Sequence, residues 1–225
     1  MVKKRERLLR PLLLALLAVL VLTGAAAQRA VYDGERIYDN SSGAVCYVRS
    51  LTEAGALKTA GSCFIISADG IALTASHVVR DAASVNVVLP SGEELSGVTV
   101  LEADAMTDVA VLRLPARKEA YPSVSLDTLD PRSGERVYAI GYPLKTVKII
   151  SDGIVSNPAA KINGLERLLV SADLASGMSG GPILSQHGAV VGMASATLRT
   201  MNGVSTSPTT AQLRSAAGEF TTGVR

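Results

Sequence analysis

Phe64-Ile65-Ile66-Ser67-Ala68-Asp69-Gly70-Ile71-Ala72-Leu73-Thr74 decides the fold. Two short apolar runs flank a Ser-Ala-Asp-Gly link, and Asp-Gly suits a tight hairpin because glycine takes positive φ at little cost. The same grammar continues in both directions. Apolar, β-branched runs stand at 44–48 and 62–66, then at 85–89, 95–101, 109–114, 136–141, 147–150, 168–171, 182–184 and 190–196. Pro90-Ser91-Gly92, Arg132-Ser133-Gly134 and Asp152-Gly153 punctuate them. No helix-length amphipathic pattern falls between consecutive runs, so an all-β barrel or sandwich is expected rather than a parallel α/β sheet. Residues 115–131 break the pattern with Arg117-Lys118-Glu119 and clustered prolines, and read as a connector between two β halves, about 36–114 and about 132–205. Ser207-Pro208 followed by good helix formers predicts a terminal helix over about 208–220.

The first 27 residues stand apart. Lys3, Lys4, Arg5, Arg7 and Arg10 form a basic start, residues 12–22 are apolar, and Ala25-Ala26-Ala27 offers a cleavage site before Gln28. The apolar core is short against the ~20 residues a membrane span needs, which favours a cleaved signal peptide over an N-terminal anchor. Either way, residues 28–225 are expected to be extracytoplasmic, secreted or periplasmic, with membrane contact only if the segment is retained. This segment holds five basic and one acidic side chain, whereas the whole chain is +2, so the remainder carries −2. A nucleic-acid surface needs basic residues clustered on the folded part, and none is expected. Nothing in the sequence bears on oligomeric state.

Cys46 and Cys63 are the only cysteines. Export permits a disulfide, and an antiparallel hairpin could set them side by side; a bridge closing that loop would contribute roughly 3 kcal/mol. Two buried thiols acting as small hydrophobes remain the alternative. Without suitably spaced histidines they make a poor metal site, so no metal is expected.

Ser179 lies in Gly177-Met178-Ser179-Gly180-Gly181-Pro182. Flanking glycines allow a tight turn that exposes the hydroxyl and turns backbone N–H groups toward a developing oxyanion. Of the two histidines, His77 ends an apolar strand and suits a general base, whereas His187 sits on a hairpin turn and is expected in solvent. Asp108 directly precedes the strand Val109-Ala110-Val111-Leu112, where a half-buried carboxylate can orient a histidine. Asp104 occupies a similar loop, so Asp108 alone also reads as an ordinary turn residue.

Taken together, the stretches resemble the trypsin-like serine peptidases, and within them the Deg/HtrA branch. The matching segments are Gly61-Ser62-Cys63-Phe64-Ile65-Ile66, Leu73-Thr74-Ala75-Ser76-His77-Val78-Val79, Thr107-Asp108-Val109-Ala110-Val111-Leu112, Ile140-Gly141-Tyr142-Pro143, Gly153-Ile154-Val155-Ser156 and the Ser179 turn, in the family's order. The resemblance implies two packed antiparallel six-stranded β-barrels with the active site between them. It implies that His77 is general base then acid, that Asp108 orients its ring, and that Ser179 is the nucleophile of an acyl-enzyme. The N–H groups of Gly177 and Ser179 would form the oxyanion hole, and no cofactor is required. Cys63 stands where the family commonly has glycine. No PDZ domain is expected after the terminal helix.

Polypeptides are the expected substrates. Asp173, six residues before Ser179, would select Arg or Lys if it floors the first specificity pocket; otherwise the resemblance implies small or aliphatic side chains. Met193, Ala194 and Ser195 would supply the strand edge that pairs with a substrate backbone. Gly177–Gly181 also fits the G-x-S-x-G elbow of α/β-hydrolases, but there acid and histidine follow the serine in that order, and here only His187 and then Glu219 follow. A catalytically silent, protease-like binding or scaffold domain is the remaining alternative.

Overall fold

A computed structural model describes residues 29–145, 147–197 and 203–221, so the expected signal segment lies outside the described residues. From Tyr32 onward the chain forms one compact unit. Among the described residues no helix is long and apolar enough to cross a membrane.

The first half is a closed antiparallel barrel of β1 (Val45–Leu51), β2 (Leu57–Ile65), β3 (Ile71–Ala75), β4 (Ser84–Val88), β5 (Glu94–Asp104) and β6 (Val109–Arg113), in the order β1-β2-β3-β6-β5-β4. The deciding stretch folds as expected. Gly70 turns at φ +95°, its N–H donates to Ser67 O at 3.1 Å, and β2 and β3 pair on either side. Phe64, Ile65, Ile71, Leu73 and Leu112 are fully buried inside. Burial of each such side chain contributes about 1.5–3 kcal/mol.

The second half differs in detail from a closed six-stranded barrel. β7 (Arg136–Leu144), β8 (Val147–Ile162), β9 (Leu165–Val170), β10 (Pro182–Ser185), β11 (Val190–Met193), β12 (Ala196–Thr197) and β13 (Ser205–Ser207) make a seven-stranded sheet in the order β11-β10-β7-β8-β9-β13-β12. Only Ala194 and Ser195 separate its two edge strands, β11 and β12. Such a link reaches at most about 11 Å, so the sheet must curl until its edges nearly meet. The extra strand β13 carries only hydroxyl side chains. Ser205 and Ser207 are buried, and Ser207 Oγ accepts from Met193 N at 2.7 Å and donates to Pro208 O.

Strand β7 joins the two halves through its period of two. Val137 and Ala139 face the core of the curled sheet with Val155, Val170 and Ile183, while Tyr138, Ile140 and Tyr142 pack into the core of the first barrel. The connector runs along the same seam. Val124 N donates to Ile65 O in the barrel, and Asp127 N donates to Val190 O in the sheet.

Residues 34–41 form helix α1 (Gly34–Ser41), ahead of the first barrel strand. Asp33 Oδ1 caps it by accepting from Arg36 N at 2.9 Å, and Ile37 anchors it with no exposure. A single turn, α2 (Ser76–Val79), follows β3. The terminal helix is α3 (Thr210–Thr221). Thr209 and Gln212 make a reciprocal capping box, Gln212 N donating to Thr209 Oγ1 and Thr209 N to Gln212 Oε1.

Cys46 and Cys63 are direct cross-strand partners on β1 and β2, as a hairpin requires. They are fully buried and carry free thiols, the unbridged one of the two readings left open by the sequence. The hydrogen bond between them, reinforced by burial, holds the Cys63 thiol well above its ordinary pKa, so the protonated form is favoured there.

Candidate active site

His77 is set by the helical turn α2. Ser76, Val78 and Val79 are buried and fix that turn, leaving the imidazole 40% exposed beside the 14% exposed Asp108 side chain. Asp108 follows a turn that Asp104 organises by accepting from Met106 N at 2.7 Å and Thr107 Oγ1 at 2.7 Å. Arg167, on β9, holds the same turn from outside, donating to Met106 O and Thr107 O at 2.6 Å each. Asp108 takes φ +64°, a conformation a non-glycine residue holds only when its surroundings enforce it.

That conformation aims the carboxylate at His77. The ring Nδ1 lies 2.9 Å from Asp108 Oδ2, His77 N donates to Oδ1 at 3.0 Å, and Ser195 Oγ donates to Oδ2 at 2.5 Å. Burial alone would raise the Asp108 pKa, but the bonds from the His77 ring, Ser195 and the His77 N–H outweigh it and hold the pKa below the usual carboxylate value. The group therefore stays ionised where the ring needs a partner.

Ser179 sits between Gly177 at φ +95° and Gly180 at φ +87°. Met178, fully buried, pins the turn into the core of the curled sheet. Met178 N donates to Ala175 O at 3.0 Å, and Gly177 takes positive φ at the third position, so residues 175–178 form a type II turn. In this turn type the peptide between Ser176 and Gly177 is turned over relative to type I, which sets where the Gly177 N–H points. A Cβ at Gly177 would lie 2.6 Å from Tyr142 O, and one at Gly180 would lie 2.1 Å from Ser62 O. Both positions are therefore closed to any larger residue.

Ser195 connects the three expected residues. Its hydroxyl is on Asp108, and its carbonyl accepts the Ser179 hydroxyl at 3.2 Å. The Ser179 hydroxyl thus donates to Ser195 O, not to the His77 ring, in this state. Ala194 N donates to Gly181 O and Gly180 N donates to Ala194 O, while Met193 N is held by Ser207. Both backbone groups of Ala194 are spoken for, so an edge that could pair with another chain begins at Ser195, not at Met193.

Asp173 is exposed, and its carbonyl accepts from Ser151 Oγ at 2.7 Å. His187 occupies the expected hairpin turn but is not solvated. Its side chain is 16% exposed and lies 4.0 Å from Glu135. Among the described residues no group of three or more His, Cys, Asp or Glu side chains could hold a metal. Ser62, Thr74 and Arg167 were not singled out from sequence, yet Ser62 and Arg167 bond loops of the site and Thr74 bonds Ser62. The available signal for Ser62 and Thr74 was a polar residue inside an apolar strand, which is buried only when its hydrogen bonds are met.

The family model of the trypsin-like peptidase domain matches residues 61–193. The chain is 37% identical over 153 residues to the mitochondrial serine protease HTRA2 of Bos taurus, covering 64% of this chain and 32% of that protein. It is 36% identical over 137 residues to a probable periplasmic serine endoprotease, DegP-like, of Brucella suis biovar 1, covering 59% and 26%. The crystal structure of the serine endoprotease from Yersinia pestis superposes with a TM-score of 0.73 at 27% identity, over 84% of this chain and 66% of that one. The chain spans about a third or less of the length of these curated relatives.

Proposed function

The chain belongs to the trypsin-like peptidase domain family, and we propose that it is a serine endopeptidase that hydrolyses polypeptides through an acyl-enzyme. The observation that carries this reading is Asp108 and Ser195 together. The carboxylate holds the His77 ring by Nδ1, which leaves Nε2 to take a proton, and Ser195 joins that carboxylate to the Ser179 hydroxyl.

Rotation of the Ser179 hydroxyl from Ser195 O to His77 Nε2 starts the reaction. As Oγ bonds the substrate carbonyl carbon, its proton passes to Nε2, and Asp108 stabilises the imidazolium. The carbonyl oxygen gains charge opposite the N–H groups of Gly177 and Ser179, and losing one such donor costs about 2.7–4 kcal/mol of barrier. The C–N bond then breaks, and Nε2 gives its proton to the departing amine. Water repeats the sequence on the ester, restoring Ser179 Oγ–H. Every proton transferred in this cycle passes through His77.

Small or aliphatic side chains next to the scissile bond are the preferred substrates, with Arg or Lys the alternative, and the substrate backbone would pair from Ser195 onward. An extracytoplasmic location fits the basic-apolar-small start of the chain and the periplasmic relative. Residues 28–225 would then be the working part. The test is reaction with a fluorophosphonate probe. The folded protein should be labelled on Ser179 and the Ser179→Ala protein should not. An unlabelled, folded wild-type protein would instead favour a silent binding domain.

A further inference from the structure

Ser62 is fully buried on β2, and each of its polar groups is engaged. Its N–H donates to Ser179 O at 2.8 Å, and its Oγ–H donates to Gly177 O at 2.8 Å. The same Oγ accepts from Tyr142 N at 2.9 Å, and its carbonyl accepts from Thr74 Oγ1 at 2.7 Å. One residue of the closed barrel thus holds the carbonyls of both residues whose N–H groups face the developing oxyanion, and ties them to β7 of the curled sheet.

We infer that Ser62 is the positioning residue of the oxyanion hole, an inference that rests on the peptidase reading above. The peptide that carries the Ser179 N–H lies between two peptides, 177–178 and 179–180, and both have their oxygens on Ser62. With both neighbouring planes fixed, that N–H has one direction. Gly177 is held by its own carbonyl on one side and by Tyr142 O and Pro143 packed against its Cα on the other. Gly177 and Ser179 lie on the loop between β9 and β10 of the curled sheet and Ser62 on β2 of the closed barrel, so the support crosses the seam between the two halves and fixes the loop against shifts along it. Thr74 supports Ser62 from β3, the strand that leads into His77, so base and hole share one support.

An oxyanion donor works only within about 2.7–3.1 Å of the oxygen it stabilises, and displacements near 1 Å cost about a hundredfold. Ser62→Ala removes the Gly177 and Tyr142 bonds and keeps the backbone bond to Ser179. It should lower kcat by about 10- to 100-fold, with KM within about threefold, because the hole acts on the transition state and not on the bound ground state. Ser62→Cys refills the volume but donates weakly, so it should not restore kcat. Inhibition by a peptide aldehyde, whose hemiacetal oxygen occupies the hole, should weaken by the same factor as kcat/KM falls.

The experiment measures kcat, KM and aldehyde inhibition for the wild-type, Ser62→Ala and Ser62→Cys full-length chains, with melting temperatures alongside. The inference is overturned by wild-type kcat in Ser62→Ala, by recovery of kcat in Ser62→Cys, or by a change confined to KM. A wild-type protein that is folded yet inert overturns the peptidase reading and this inference with it, and is seen without any variant.

Discussion

Replacing Asp108 by asparagine keeps its shape and removes one charge and one acceptor. The carboxylate now receives His77 N on Oδ1, the ring Nδ1 across both oxygens at 3.1 and 2.9 Å, and Ser195 Oγ on Oδ2. Asparagine has a single oxygen. If that oxygen takes the Oδ2 place, the amide NH2 faces the His77 N–H, donor against donor. If it takes the Oδ1 place, the NH2 can donate to Ser195 Oγ and to the ring. The second arrangement satisfies more bonds, and it turns Nδ1 into an acceptor and puts the ring proton on Nε2, the atom that must receive the Ser179 proton. The lost charge adds to this. Unit charges about 4 Å apart at an effective dielectric near 20 interact by about 4 kcal/mol. The His77 ring is 40% exposed, so we take about half of that, or roughly a 30-fold effect. With the tautomer now wrong, the expected loss in kcat is about 10³- to 10⁴-fold. The assay is turnover of a peptide ester at pH 7, with the melting temperature recorded for the same samples. A folded Asp108→Asn protein that keeps a tenth or more of wild-type kcat would refute the role given to the carboxylate.

Gly180→Ala must hold alanine at φ +87° with its Cβ 2.1 Å from Ser62 O and 2.4 Å from Thr74 Oγ1. Left-handed strain and overpacking together should cost about 3 kcal/mol or more, read as a melting temperature about 10 °C lower and loss of turnover. The Asp104 carboxyl is held below its ordinary pKa, first by the Thr107 hydroxyl and then by the Met106 N–H. A depressed folded-state pKa gives stability that is present above the unfolded value, about 3.9, and lost as pH falls through the lower folded one. Asp104→Asn should therefore flatten the acid limb of a stability–pH curve below about pH 4, and an unchanged limb would remove Asp104 from the account. Cys46 and Cys63, buried and unbridged, should give no reaction with a thiol reagent in the native protein and two equivalents in denaturant. No reaction in denaturant would mean that the pair is bridged.

The strands that alternate or run fully apolar were legible, because β2, β3, β6, β7 and β10 bury nearly every residue that the pattern marks. Strand β8 was read only over its first four residues. Beyond them it is largely exposed, carries Pro158, and its pairing with β9 shifts register between Val155 and Asn157 and again before Ala160, so hydropathy has little to register. Strand β13 was invisible because Ser205-Thr206-Ser207 is held by hydroxyl hydrogen bonds, not by apolar surface. Helix α1 announces itself only through Asp33 and one buried apolar residue, Ile37. His77, Asp108 and Ser179 were legible because each borders a glycine turn or a strand end, where a side chain can be presented. The partners that hold them were not. The Ser195 hydroxyl is on Asp108 in addition to the edge position its backbone was expected to fill, and Arg167 reaches the Asp108 loop from sixty residues away, which no local pattern encodes.

The central claim is that Ser179 is a nucleophile served by His77. The most direct test is cleavage of unfolded casein by the protein beside its Ser179→Ala counterpart. Fragments are expected from the first and none from the second, with both proteins folded. Equal cleavage by both, or none by a folded wild-type protein, would contradict it.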